Sequence, residues 1–218
     1  MSKIFQEGSY RTLNGGFYEG TISLEEALTH GTVGIGTLDG ANGEVIILDG
    51  IAYHGDAQNQ VRFVDGKEKL PYVAVLEHQA DKSFELKDLA NDQALAEILG
   101  QLPSQSTAFS IALTGNFEKI EISSKPANNT EAYPEIMAKQ PHFTRENIKG
   151  SIVGIWSPNH LSGLYGDGFH LHFISEDKDF GAHLVAFDVV EAQAEVGQIT
   201  DMTQHFPTDN ENFQKFNF

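Results

Sequence analysis

The apolar runs of this 218-residue chain are short, and that limits its fold more than any other feature. Val33–Leu38, Glu44–Leu48, Gln60–Val64 and Tyr72–Glu77 each have the length and residue content of a strand, with turn-forming residues between them. Asp39-Gly40-Ala41-Asn42-Gly43 and Asp65-Gly66 are such turns. The pattern returns at Ala108–Leu113, Phe117–Ile122, Ser151–Trp156, Phe169–Ile174 and His183–Val189, and Gly115-Asn116 is expected to turn the chain between the first two of these. Two helices stand out. Ser23 and Glu26 match a capping box that opens a short helix, with Gly31 suited to the left-handed position after it. Asn91–Gln101 sets Leu95, Ile98, Leu99 and Leu102 on one face. Many strands and few helices predict an α+β, sheet-rich architecture. Lys125–Thr144, rich in Pro, Asn and Thr, reads as a connecting excursion, so the single domain 1–218 is expected to form two β-dominated lobes of about 1–125 and 126–218.

Composition removes several function classes. There is no cysteine, which rules out disulfides and a thiolate metal site and suits a reducing compartment. Met1–Gly16 lacks the apolar core of a secretory signal, and runs such as Val45–Leu48 are too short to span a bilayer, so a soluble cytoplasmic protein is expected. The net charge is −17, with 14 basic residues against 31 acidic ones and no basic stripe, which argues against nucleic acid. An anionic ligand would need a local cation to draw it in against the global field, and a bound metal would serve.

Gly168-Phe169-His170-Leu171-His172-Phe173-Ile174 carries the chemistry. Residues two apart on a strand point to the same side, so His170 and His172 project together while Phe169, Leu171 and Phe173 face the core. The polar run Ser175–Asp179 reverses the chain before His183, and a hairpin pairing His172 with His183 would put three imidazoles on one face. Such a trio fills three corners of a tetrahedron and leaves room for substrate, as a catalytic zinc requires. Spacing alone leaves a second reading open, in which the histidines are structural or exposed. The other six, His30, His54, His78, His142, His160 and His205, show no ligand spacing and are read as structural or surface residues.

The stretch Gly168-Phe169-His170-Leu171-His172-Phe173, followed by Phe180-Gly181-Ala182-His183, resembles the zinc-binding segment of the bacterial alpha-acetolactate decarboxylases. Gly31-Thr32-Val33-Gly34-Ile35-Gly36-Thr37, Asp39–Gly50, Gly150-Ser151-Ile152-Val153-Gly154 and His205-Phe206-Pro207 also correspond. The resemblance implies a zinc-dependent carboxy-lyase that converts 2-acetolactate to acetoin and CO2 in the butanediol pathway. It further implies Zn2+ on His170, His172 and His183, Glu44 as proton donor, Thr37 as a substrate contact, a small-molecule substrate and a homodimer. From the residues alone, Glu44 is a polar residue at the start of a strand.

Two positions depart from that family. The alignment places Ser123 where relatives carry an active-site arginine. Lys125, two residues on, faces the same side of an extended chain; it is either an ordinary solvated lysine or a partial, point-charge substitute for the guanidinium. Relatives also supply a late C-terminal glutamate, whereas here no glutamate follows Glu211, so Glu211 or the terminal carboxylate would have to serve. A non-catalytic zinc-binding relative and a zinc enzyme of changed specificity are the alternative readings.

Overall fold

A computed structural model of the chain describes residues 1–217. Its strands are β1 (Ser2–Glu7), β2 (Ile22–Ser23), β3 (Val33–Leu38), β4 (Asn42–Leu48), β5 (Ile51–Gly55), β6 (Val61–Phe63), β7 (Lys69–Leu70), β8 (Tyr72–Glu77), β9 (Lys82–Leu89), β10 (Phe109–Ser123), β11 (His142–Ser157), β12 (Gly168–Ser175) and β13 (Gly181–His205). The α-helices are α1 (Tyr10–Asn14), α2 (Leu24–Ala27), α3 (Asn91–Gln101), α4 (Tyr133–Ala138), α5 (Ser162–Tyr165) and α6 (Glu211–Lys215). The α+β, sheet-rich expectation holds.

Local sequence explains the helices. Ser23 Oγ accepts from the Glu26 N–H at 3.3 Å and starts α2, which is one half of the expected capping box. Gly31 then leaves the segment in extended backbone, with φ 161°, rather than in the left-handed cap the sequence suggested. In α3, Ile98 is fully buried, and Leu95, Leu99 and Leu102 lie against the same core. Within the expected excursion, Pro134 in the first turn opens α4, since a proline there forgoes no helical hydrogen bond.

The expected turn at Gly115-Asn116 does not form. β10 runs straight through it, because Gly115 is paired on both sides, with Gly150 of β11 and Ala192 of β13. The glycine is there for closeness: a Cβ would stand 2.3 Å from the Glu191 carbonyl oxygen.

Pairing of β10 with β11, β11 with β12, β12 with β13 and β13 with β10 closes a ring of four strands. Leu113, Phe117, Ile152, Leu171, Phe173 and Phe187 belong to the buried cluster inside it. β9 adds to β13, so two strands that precede residue 125 pair with the strands that follow it. β1 joins the ring to the remaining strands, lying parallel to β13 and antiparallel to β8; beyond β8 the order is β3, β4, β5, β6.

The site is positioned by how these two parts of the sheet face each other. Alternation turns Val33, Ile35, Ile46, Ala74 and Leu76 to one side, where they meet Val153, Ile155 and Ile174 from the outer side of the ring. By the same alternation Thr37, Glu44 and Tyr72 continue the first face, and His170 and His172 continue the second. The interface between the faces is therefore apolar along most of its length and polar at one end.

Candidate functional site

The three histidines converge at that polar end. His172 of β12 pairs in register with His183 of β13, and His170 projects beside His172 on the same side. The ring centroids are 5.3 to 5.5 Å apart. One ring nitrogen from each lies within 4.8 Å of the others. His170 Nδ1 lies 2.9 Å from the Tyr165 carbonyl oxygen and His172 Nδ1 lies 2.8 Å from that of Val45. A carbonyl only accepts, so in both rings Nδ1 carries the hydrogen and Nε2 keeps its lone pair.

Burial holds the imidazoles neutral. It pushes the His170 pKa down to about 4 and those of His172 and His183 well below the ordinary range, and Lys125 and the neighbouring imidazoles lower the latter two further. His172 Nε2 is buried without any hydrogen-bond partner, a costly state for a basic nitrogen unless something else binds the lone pair. Three neutral imidazoles, two of them with the tautomer fixed by a backbone carbonyl and one of these two with an orphaned Nε2, fit a metal ion. A zinc ion accepts this donor set and leaves further coordination open.

Glu44 stands opposite. Its Oε2 lies 3.5 Å from His172 Nε2, while Oε1 accepts a hydrogen bond from Lys125 Nζ. Both members of this ion pair are buried, at 3% and 4% exposure, so Lys125 is no solvated lysine. Burial raises the Glu44 pKa, with Lys125 opposing, so the carboxyl holds its proton more readily than an exposed glutamate. Gly43 makes this corner possible. Its φ is +59°, and a Cβ would meet His54 Nε2 at 2.1 Å. Thr37 Oγ1 donates to the Gly43 carbonyl at 2.7 Å, which fixes the turn and leaves the hydroxyl oxygen free to accept.

All six residues singled out in the sequence, Thr37, Glu44, Lys125, His170, His172 and His183, line one cavity of about 360 Å³. That volume suits a small metabolite. Sequence reasoning missed its aromatic wall: Tyr10, Tyr72, Tyr133, Tyr165 and Phe169, with Met137 and Asp167. A signal existed for Tyr72, which shares strand parity with Ala74 and Leu76 and faces the same interface. Nothing local marked Tyr10 or Tyr133, which arrive on α1 and α4.

The two departures resolve differently. Ser123 pairs in register with His183 and His142 and is buried at 2% exposure, and Lys125 is the cation that lines the cavity. Glu211 points away: its carboxylate binds Lys215 Nζ at 2.8 Å on the exposed face of α6. The terminal carboxylate, on Phe218, lies outside the described residues. Of the other histidines, His54 is buried with Nε2 3.2 Å from the Asn42 carbonyl oxygen, His78 lies between Ser110 and Glu195, His205 contacts Glu7, and His30 stacks on Phe5. None joins the triad.

Fold and pocket together define a sheet-rich protein with a three-histidine cluster able to hold a metal ion, faced by a buried acid–base pair. The family model described as alpha-acetolactate decarboxylase matches residues 4–218. The chain is 39% identical to the alpha-acetolactate decarboxylase of Lactococcus lactis subsp. lactis strain IL1403 over 98% of its own length and 91% of the relative's. It is 36% identical to that of Streptococcus thermophilus over 99% and 93%. The crystal structure of alpha-acetolactate decarboxylase from Bacillus subtilis strain 168 superposes with a TM-score of 0.94 at 26% identity, covering 99% of this chain and 93% of that one. A Staphylococcus aureus protein of unknown function, described as similar to alpha-acetolactate decarboxylase, superposes at 0.96 with 34% identity, over 99% and 94%. This chain belongs to the alpha-acetolactate decarboxylase family.

Proposed function

We propose that the chain is a zinc-dependent carboxy-lyase that converts 2-acetolactate to acetoin and CO2, with His170, His172 and His183 as the metal ligands. The observation that carries the reading is the convergence, in one cavity, of three neutral imidazoles with the buried Glu44–Lys125 pair. Acetolactate has a ketone β to its carboxylate, so the electrons of the breaking carbon–carbon bond can move onto the ketone oxygen as CO2 leaves. A zinc ion held by the three histidines would supply a Lewis acid that lowers the cost of that charge. Lys125 holds the carboxylate, released from Glu44 when that residue carries a proton. Glu44, its carboxyl raised towards the protonated form by burial, then delivers the proton to carbon that completes acetoin. Thr37 offers its hydroxyl oxygen to the substrate's hydroxyl group.

The identity of the metal, the homodimer and the place in the butanediol pathway rest on the family. Among the described residues no helix is long and apolar enough to cross a membrane. The test is CO2 release from racemic acetolactate by the zinc-loaded protein, against the same protein stripped by chelation. Acetoin and CO2 in equal amounts, lost on stripping and restored by zinc, support the reading. Tight zinc binding without CO2 release would make the chain a non-catalytic relative.

A further inference from the structure

Five buried side-chain polar atoms among the described residues have no hydrogen-bond partner, and two of them belong to residues that line the same cavity. One is His172 Nε2, which a metal accounts for. The other is the Tyr72 hydroxyl, and neither the metal nor the Glu44–Lys125 pair uses it. The cavity's phenols are not all alike in this respect. Tyr165 also lines the cavity, but its hydroxyl contacts Met202 Sδ at 2.7 Å. Nearby Tyr18 donates to the Glu131 carbonyl at 2.9 Å. Tyr72 is held in place by its surroundings: it pairs in register with Thr37, and its ring lies nearly parallel to that of His170, 6.1 Å away at 21°. A rigid, buried donor with no internal partner costs the folded protein stability unless a ligand completes it.

We propose that the Tyr72 hydroxyl is a substrate-binding donor that hydrogen-bonds the ketone oxygen of the bound hydroxy-keto acid. The inference rests on the decarboxylase reading and adds a residue to it. The substrate carboxylate already has a cation in Lys125. A neutral donor in a desolvated wall, beside the histidines, best suits the oxygen that is neutral at first and gains charge as CO2 leaves, because its stabilisation then grows in the transition state. The sequence gives no other hint of this role, since Tyr72 reads there as an ordinary aromatic at a strand start.

Tyr72→Phe removes one oxygen and keeps the ring and its stacking. Loss of a single donor of this kind lowers kcat on the order of 100-fold with KM changed by less than about threefold. Zinc content should stay at the parent's level, and the Tm of the metal-free variant should equal or exceed the parent's, because a buried unsatisfied hydroxyl has gone. A merely structural hydroxyl would behave in the opposite way, lowering Tm and leaving kcat alone. Acetoin keeps the ketone and lacks the carboxylate, so calorimetric titration of both zinc-loaded proteins with acetoin gives a readout apart from turnover: binding weaker by about two- to threefold in the variant is expected, in keeping with the small change in KM. An unchanged kcat in an active background, or a loss that tracks zinc content or Tm, overturns the proposal. If the parent itself releases no CO2 from acetolactate, the decarboxylase reading fails. The acetoin titration then decides Tyr72 alone: equal affinity in parent and variant sinks it, and weaker affinity in the variant sustains it.

Discussion

The two walls of the cavity are built alike and do opposite things. The hairpin of β12 and β13 presents three imidazoles that burial keeps neutral, two of them with Nδ1 bound to a backbone carbonyl, so that wall offers lone pairs. The wall of β3, β4 and β8 presents Thr37, Glu44 and Tyr72, joined by Lys125 from the end of β10, and it offers protons and charge. Each wall is the polar continuation of a strand face that is apolar further along. The shared apolar interface holds the faces in register. The polar side chains are confined to the end where the alternation turns polar, so they meet without either wall needing a long loop to carry them.

The comparison can be broken most sharply on the hairpin side. His172→Ala removes the orphaned Nε2 and should reduce zinc, measured by elemental analysis, from one per chain to near none, and CO2 release with it. Full occupancy in that variant would show that the metal sits elsewhere. On the opposite wall, Glu44→Gln keeps size and hydrogen bonding but cannot give up a proton. It should bind zinc normally and lose on the order of 10²–10⁴ in kcat, the range for a general acid. A Glu44→Gln protein that loses its zinc instead would mean that the carboxylate belongs with the metal ligands, and the division between the walls would fail. Lys125→Ala comes next. Truncating one member of a buried ion pair typically costs about 3–5 kcal/mol, read as a lower urea midpoint. The Lys125→Met, Glu44→Gln double variant should recover much of that stability without recovering activity.

The hairpin wall was legible in the sequence because everything that defines it is local. Period-two alternation places His170 and His172 on one side, and a short polar run returns the chain to His183. The opposite wall was legible only in pieces. Glu44 could be assigned to a strand, but which side it faces depends on β4 crossing the hairpin, where Val45 receives the His172 hydrogen bond. Lys125 looked solvated because its partner is 81 residues away in the chain. The strand break expected at Gly115-Asn116 failed for a similar reason. Those residues suit a tight turn in isolation, yet β11 and β13 pair on either side and demand a straight strand with no side chain in the way. Local patterning specified the elements, while contacts between distant strands decided how long they run and which residues meet.

The smallest expected effect tests whether the C-terminal segment takes any part in the division between the walls. Family resemblance assigns a late glutamate to the metal site, and Glu211 is the last glutamate of this chain. In the structure it sits near the start of α6, where Asn210 caps the helix by accepting from the Phe213 N–H at 2.8 Å. Asn210 and Asn212 both donate to Glu19, which ties the segment to the surface beside α1 and lowers the Glu19 pKa. The Glu211 side chain is 83% exposed and pairs with Lys215 one helical turn on. An exposed pair at that spacing contributes only about 0.3–0.5 kcal/mol. Glu211→Gln should therefore leave kcat, KM and zinc content at the parent's values, with at most a slight fall in Tm. A clear loss of zinc or of kcat in this variant would mean that the segment swings towards the triad when metal binds, and that the cavity has a third wall.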